Sequence, residues 1–312
     1  MDPTIISSIV AVGGLGVMFG AGLALASKKF AVEVDPRIEK VAEVLPNANC
    51  GACGYPGCAA FAEAVVAGKV AADGCTVGGA SVAAEIAKIL GVEIDVTAEK
   101  KVAVVQCQGG EAEAKEKFVY RGIEDCAAAE LVDGGHKACS YGCLGLGTCV
   151  RACPFDAMYM NDNGLPVVIE EKCTGCGICV QVCPRGIMAL IPVSQKMYLA
   201  CVSKDKGKAV RDVCTVGCVA CGVCANPKFV PSGGIVMEGN LPKIVNYRVD
   251  DLPIAWKRCP TSSFVWRGKV PEGYEDVDRP VKANAVVPGE AKALPQQHVS
   301  EEVEKANVGT QS

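Results

Sequence analysis

The stretch "CTGCGICVQVCPRG", residues 173–186, sets four thiols at spacings of two, two and three, with a proline after the last. Cysteines so close in one loop are poorly placed for a disulfide framework and well placed to wrap one inorganic centre. The run C-x2-C-x2-C-x3-C-P is the pattern of chains that carry two 4Fe–4S cubes, in which three thiolates hold one cube and the fourth reaches to the other. The proline locks φ and removes a backbone donor, turning the chain off the cluster. A four-cysteine zinc ribbon is the competing chemistry. On the cluster reading Cys173, Cys176 and Cys179 hold one cube, and Cys183 belongs to a second.

The partner run is "CSYGCLGLGTCVRACP", with Cys139, Cys143, Cys149 and Cys153 before Pro154. By the crossing rule Cys139, Cys143 and Cys149 take Cys183, and Cys153 completes the set of Cys173, Cys176 and Cys179. This predicts a two-cluster ferredoxin of βαββαβ form with pseudo-twofold symmetry. A separate set, Cys50, Cys53, Cys58 and Cys75, lies upstream among Gly51, Gly54 and Gly57, which permit close backbone approach. Downstream, "CTVGCVACGVC" supplies Cys214, Cys218, Cys221 and Cys224, and "KRCP" supplies Cys259. "CTVGC" echoes "CSYGC", and "NLPKIV" echoes "GLPVVI", so this segment reads as a ferredoxin repeat that lost one cube.

Cys107, Cys126 and Cys201 stand apart. "KVAVVQC" (101–107) and "YLAC" (198–201) each read as a strand ending in cysteine, followed by a polar loop and a second cysteine. Two such half-sites could close one cluster between the repeats. Two partitions stay open: Cys107, Cys126 and Cys201 with Cys214, leaving Cys218, Cys221, Cys224 and Cys259; or the same three with Cys221, leaving Cys214, Cys218, Cys224 and Cys259. Either way the 20 cysteines divide into five sets of four with none left over, which implies about five 4Fe–4S clusters. Buried inert thiols at Cys107 and Cys126 are the plainer alternative.

Among the elements that must position these residues, residues 4–26 contain no charge, enough to cross a bilayer, with Asp2 before them and Lys28 and Lys29 after. The lysines put everything beyond them in the cytoplasm, where twenty cysteines are not structural disulfides. A cleaved signal peptide would want a positive n-region, and none is present. Residues 30–49 read as a juxtamembrane helix capped by Asp35 with Pro36 in its first turn, and 57–67 and 80–90 as further helices. The expected class is α+β: an N-terminal transmembrane anchor (1–28), a small helical four-cysteine iron–sulfur domain (29–95), a polyferredoxin region of ferredoxin-like βαββαβ modules (96–270, with a two-cluster ferredoxin at 137–192 and a degenerate repeat at 212–266), and a disordered tail (271–312). Aromatic residues are only 5%, and clusters would supply the missing cross-linking.

Net charge of -4 gives no reason to expect nucleic-acid binding. No Walker A run or dinucleotide fingerprint occurs, and His136 and His298 form no nucleophile–base pair. The residues point to one-electron transfer, with no organic-substrate catalytic site.

The segment "LPNANCGACGYPGCAAFAEAVVAG…C…GGASVAAEIAKILG" (45–91), together with "YGCLGLGTCVRACPFDAMYM" and "VGCVACGVC", resembles the B subunit of the Rnf complex, an ion-translocating ferredoxin:NAD oxidoreductase. The resemblance covers about residues 1–266 and fits the long, cluster-rich form, except that "ANPKF" and the stretch to Trp256 lack the further cysteines that form usually carries. It implies a single-pass protein of the cell membrane that takes electrons from reduced ferredoxin and passes them to other Rnf membrane subunits, which reduce NAD and move Na+ or H+. A free-standing membrane-tethered polyferredoxin and a cluster-assembly scaffold are the other readings.

Overall fold

The computed structural model describes residues 3–29, 35–93 and 99–274. The first element, α1 (Pro3–Lys29), follows the uncharged stretch. Its side chains are described from Val12, and among the described residues no helix is long and apolar enough to cross a membrane. The expected transmembrane anchor is therefore covered by a helix whose spanning the described residues do not establish.

Three helices build the next unit: α2 (Pro36–Val44), α3 (Cys58–Val66) and α4 (Gly79–Leu90). Asp35 caps α2 by accepting from the Arg37 N–H at 2.9 Å, with Pro36 in the first turn as expected. Gly91 ends α4 in the left-handed region at φ 69°. Val41, Leu45, Phe61, Val65 and Ile86 are buried between the helices, and Cys53, Cys58 and Cys75 pack against that core.

The remaining chain folds as two βαββαβ modules. In the first, β1 (Lys101–Val105), α5 (Cys126–Glu130), α6 (Thr148–Arg151), β2 (Met158–Met160), β3 (Pro166–Val168), α7 (Ile178–Gln181) and β4 (Met188–Pro192) follow in order. The outer strands β1 and β4 pair antiparallel, Lys101 opposite Pro192, and β2 and β3 form a hairpin. In the second, β5 (Met197–Leu199) pairs with β8 (Phe264–Trp266), and β6 (Ile235–Glu238) with β7 (Leu241–Ile244). Helices α8 (Lys208–Val213) and α9 (Leu252–Arg258) complete it. The strand read at 101–107 is thus the opening strand of the first module, and each module begins well upstream of 137 and 212. The β-branched run "KVAVV" suits a strand buried on both faces. One face of β1 belongs to its own core. On the other, Val104 packs with Tyr198 and Ala200 of the second module. The two outer sheets therefore meet face to face. Residues 271–274, placed in the tail by composition, turn back so that Tyr274 packs on the second module's core; residues 275–312 lie outside the described residues.

Candidate metal centres

All twenty cysteines are unpaired, and four cavities are each lined by four of them. In the helical unit the cavity is walled by Cys50, Cys53, Cys58 and Cys75. Asn49 sits at φ 46° and accepts from the Cys58 N–H at 2.9 Å, closing the loop onto the start of α3. The Gly78 N–H donates to the Cys75 sulfur at 3.4 Å.

Cys153, Cys173, Cys176 and Cys179 line a second cavity. Strand β1 covers it: the Ala103 N–H donates to the Cys173 sulfur at 3.4 Å. Gly175, at φ 72°, lets the loop pass under that strand, since a Cβ there would stand 2.5 Å from the Lys101 carbonyl oxygen.

A third cavity is lined by Cys126, Cys143, Cys149 and Cys183. Cys126 is placed by the cap of α5: Asp125 accepts from the Ala128 N–H at 2.9 Å and from the Thr148 hydroxyl at 3.0 Å, and Thr148 in turn accepts from the Cys126 N–H at 2.8 Å. That network holds Asp125 below the usual carboxylate range, the Ala128 amide being the main cause. Arg185, 4% exposed, pairs with Glu130 and donates to the Cys139 carbonyl at 3.0 Å and to the Gly134 carbonyl. It fixes the 126–139 segment against the loop of Cys183. A fourth cavity is lined by Cys107, Cys139, Cys201 and Cys214.

The last four cysteines surround the second module's core. Cys218, Cys224 and Cys259 pack with Leu252, Trp256 and Phe264, and Cys221 is exposed on the same loop. The Ser263 N–H donates to the Cys259 sulfur at 3.3 Å. Burial raises the Cys218 thiol, and the neighbouring thiols of Cys259 and Cys221 raise it further.

The spacing rules and the geometry differ at one exchange. Cys139, expected with Cys143, Cys149 and Cys183, faces Cys107, Cys201 and Cys214; Cys126 takes its place in the third cavity. Cys214, not Cys221, lies with Cys107 and Cys201. The sequence offered one signal for this: Cys139 and Cys214 hold the same position in "CSYGC" and "CTVGC". Arg185 and the Asp125–Thr148 pair carried no motif.

An all-cysteine donor set suits zinc or iron–sulfur chemistry. Among the described residues no three His, Cys, Asp or Glu side chains converge closely enough to hold a single metal ion. Thiols standing around a cavity, rather than on a point, fit a polynuclear core. Burial pushes Cys107, Cys143, Cys149, Cys179, Cys201 and Cys224 up to about 12. Thiolates at these depths need a cationic core to offset the loss of water.

The comparisons with known proteins agree with this chemistry. An Fe-S cluster family model matches residues 45–77, and a 4Fe-4S dicluster domain matches residues 139–190. The chain is 44% identical over 244 residues to the B subunit of the ion-translocating oxidoreductase complex of Methanosarcina acetivorans, covering 78% of this chain and 91% of that one. It is 49% identical over 216 residues to the B subunit of the proton-translocating ferredoxin:NAD(+) oxidoreductase complex of Clostridium ljungdahlii, covering 69% and 76%. To the Na(+)-translocating counterpart of Acetobacterium woodii it is 47% identical over 206 residues, 66% of this chain but 62% of that longer relative.

Paired ferredoxin-type modules with four-cysteine sites define an iron–sulfur electron-transfer protein. The chain belongs to the family of B subunits of the ion-translocating oxidoreductase (Rnf) complex.

Proposed function

We propose that the chain is the membrane-anchored electron-entry subunit of an ion-translocating ferredoxin:NAD oxidoreductase. It accepts electrons from reduced ferredoxin and relays them through about five 4Fe–4S clusters to membrane partners that reduce NAD and translocate Na+ or H+. The observation that carries this is the gathering of sixteen cysteines around four cavities, four to each, with Cys218, Cys224 and Cys259 packed together at the second module's core.

When bound, a 4Fe–4S cluster supplies a one-electron couple whose potential depends on hydrogen bonds to sulfur and on solvent exposure. The chain's part is to set both. Amides of Gly78, Ala103, Ile187 and Ser263 donate to the sulfurs of Cys75, Cys173, Cys183 and Cys259. Cys221 alone is exposed, which makes its loop the best candidate for exchange with a soluble donor. Hydride transfer to NAD needs a two-electron group such as a flavin, so that step belongs to other subunits.

Support for an anchor comes from α1, where Val12, Val17, Phe19, Leu23 and Leu25 are each at least 66% exposed. Such an apolar surface needs lipid or protein cover. Lys28 and Lys29, which follow the uncharged stretch, support a cytoplasmic position for the modules.

The test is anaerobic purification of the native membrane complex with metal analysis of this subunit. About twenty irons and as many sulfides per chain are expected, four per cubane, with the chain co-purifying with membrane subunits and unable to reduce NAD alone. Iron near twelve, or zinc instead of iron, would contradict the cluster assignment; a chain recovered without membrane partners would contradict the role.

A further inference from the structure

We propose that Cys107, Cys139, Cys201 and Cys214 hold a 4Fe–4S cluster on the pseudo-twofold axis between the two modules, each module supplying an equivalent pair of ligands, and that this cluster is the electronic link between the modules. The proposal rests on the iron–sulfur reading above and adds the ligand set and the position.

The equivalence is visible in the hydrogen bonds. Cys107 stands two residues beyond β1, and Cys201 two residues beyond β5. The Cys107 sulfur accepts from the Cys143 N–H at 3.4 Å; the Cys201 sulfur accepts from the Cys218 N–H at 3.3 Å. Cys139 precedes Cys143 by four residues, as Cys214 precedes Cys218. Just before each strand-end cysteine, the Gln106 N–H donates to the Ile187 carbonyl at 2.9 Å and the Ala200 N–H to the Ser263 carbonyl at 2.8 Å. Ile187 and Ser263 each lie four residues after a C-P cysteine and donate to its sulfur. The four cysteines around this cavity are thus two copies of one pair.

The two pairs are clamped together by residues 113–117. On one side the Lys115 N–H donates to the Val213 carbonyl at 2.9 Å and the Thr215 N–H to the Glu113 carbonyl at 3.0 Å. On the other the Ala138 N–H donates to the Lys115 carbonyl at 2.8 Å. Segments carrying Cys139 and Cys214 therefore flank one stretch of chain, bridged to it at Ala114–Cys214 and Glu116–Lys137. Gly109 completes the enclosure: a Cβ there would stand 3.1 Å from the Cys214 sulfur and 3.9 Å from the Cys107 sulfur. Both sulfurs, one from each module, lie within 4 Å of that single point.

The charge balance also asks for an anion. Lys137 lines the same cavity, is only 3% exposed, and donates to the Gly110 carbonyl at 3.2 Å. Among the described residues it has no ion-pair partner. Lysine is almost never so buried without a counter-charge. A cube bound by four thiolates carries net negative charge and is the missing counter-ion.

The position gives the role. The amide that donates to Cys107 belongs to a ligand of the Cys126/Cys143/Cys149/Cys183 site, and the amide that donates to Cys201 belongs to a ligand of the Cys218/Cys221/Cys224/Cys259 site. The central site thus touches one neighbour in each module through a single hydrogen bond.

The test uses the full chain produced anaerobically, as wild type and as Cys139→Ser, Cys214→Ser, Cys126→Ser and Cys183→Ser. Cys139→Ser and Cys214→Ser are expected to lose the same paramagnetic resonance signal and about four irons each. Cys126→Ser and Cys183→Ser are expected to lose a different signal in common. If Cys139→Ser removes the signal lost in Cys183→Ser, the proposal is overturned. A wild-type chain free of iron would instead overturn the iron–sulfur reading as a whole. Because a serine variant can fail to fold, a density map of the wild-type holo-chain serves as the second measurement. Iron bonded to all four named sulfurs is expected; iron on Cys126 in place of Cys139 in that site would overturn the proposal.

Discussion

Arg267, just beyond β8, grips Glu170 of the first module in a two-pronged pair: Nε donates to Oε1 at 2.7 Å and Nη2 to Oε2 at 2.6 Å. Its side chain is 5% exposed, and its Nη1 also donates to the Gln195 carbonyl at 2.9 Å. Glu170 lies three residues before Cys173. One arginine therefore ties the last strand of the second module to the cysteine loop of the first.

Arg267→Ala should loosen the module interface. Removing one partner of a buried pair costs roughly 3–5 kcal/mol, and the partial exposure of Glu170 lowers the expectation to about 2–4 kcal/mol. Arg267→Lys keeps the charge but not the fork and should fall between. Anaerobic denaturant titration of the holo-chain reads both. An unfolding midpoint for Arg267→Ala equal to wild type would show that the pair does not hold the modules together.

Cys183→Ala tests the crossing of ligands. Cys183 is nearest in sequence to Cys179, yet its sulfur lines the cavity of Cys126, Cys143 and Cys149. The variant should lose about four irons and the resonance signal shared with Cys149→Ala. The signal shared with Cys176→Ala should survive. Loss of the Cys176-linked signal alone would place Cys183 on the wrong cube.

Local spacing made much of this legible, and distance in the chain hid the rest. The grouping of Cys50, Cys53, Cys58 and Cys75 and the loops of 173–183 and 218–224 could be read directly, because their cysteines are neighbours in the chain. So could the Asp35 cap, helices α3 and α4 and strand β1, each with its own local pattern. The module boundaries could not. Strand β1 pairs with β4 some eighty residues later, and nothing in "KVAVV" names its partner. The exchange of Cys126 and Cys139 has the same origin: spacing assigned Cys139 to the nearest cysteines, whereas residues 113–115 hold the segment before it against Val213 and Thr215 of the other module. Arg185 and Arg267 act through carbonyls and carboxylates more than forty residues away, a role that leaves no mark on the surrounding sequence.

Gly175→Ala should damage one site selectively. At φ 72° a side chain costs about 1–2 kcal/mol, and here the added carbon would also strike the Lys101 carbonyl of β1. Gly186→Ala is the control, since Gly186 has φ 59° but open space around its missing Cβ. Iron analysis should show about four irons lost in Gly175→Ala and none in Gly186→Ala, with the latter only slightly less stable. Equal iron in the two variants would mean that the close passage under β1 does not shape the site.

Lys204 and Lys206 are exposed on the loop 203–207 and Lys208 at the start of α8, and that loop is not free to swing. The Gly207 N–H donates to the Val219 carbonyl at 3.0 Å, and Asn240 Nδ2 donates to the Lys204 carbonyl at 2.7 Å. The first bond fastens the lysines to the loop that carries exposed Cys221. A cationic patch held beside the one exposed cysteine is suited to steering an acidic ferredoxin onto that loop. Steering of this kind speeds association by a factor of about 10–1000 and weakens steeply with salt. Replacing the three lysines with glutamate should therefore slow reduction by at least about tenfold at low salt, and the difference should shrink as ionic strength rises. Cluster content and the unfolding midpoint should stay at wild-type values, because these side chains face water. Stopped-flow mixing of the holo-complex with reduced ferredoxin reads the rate directly. A rate unchanged by the triple substitution at low salt would move the docking surface elsewhere on the chain.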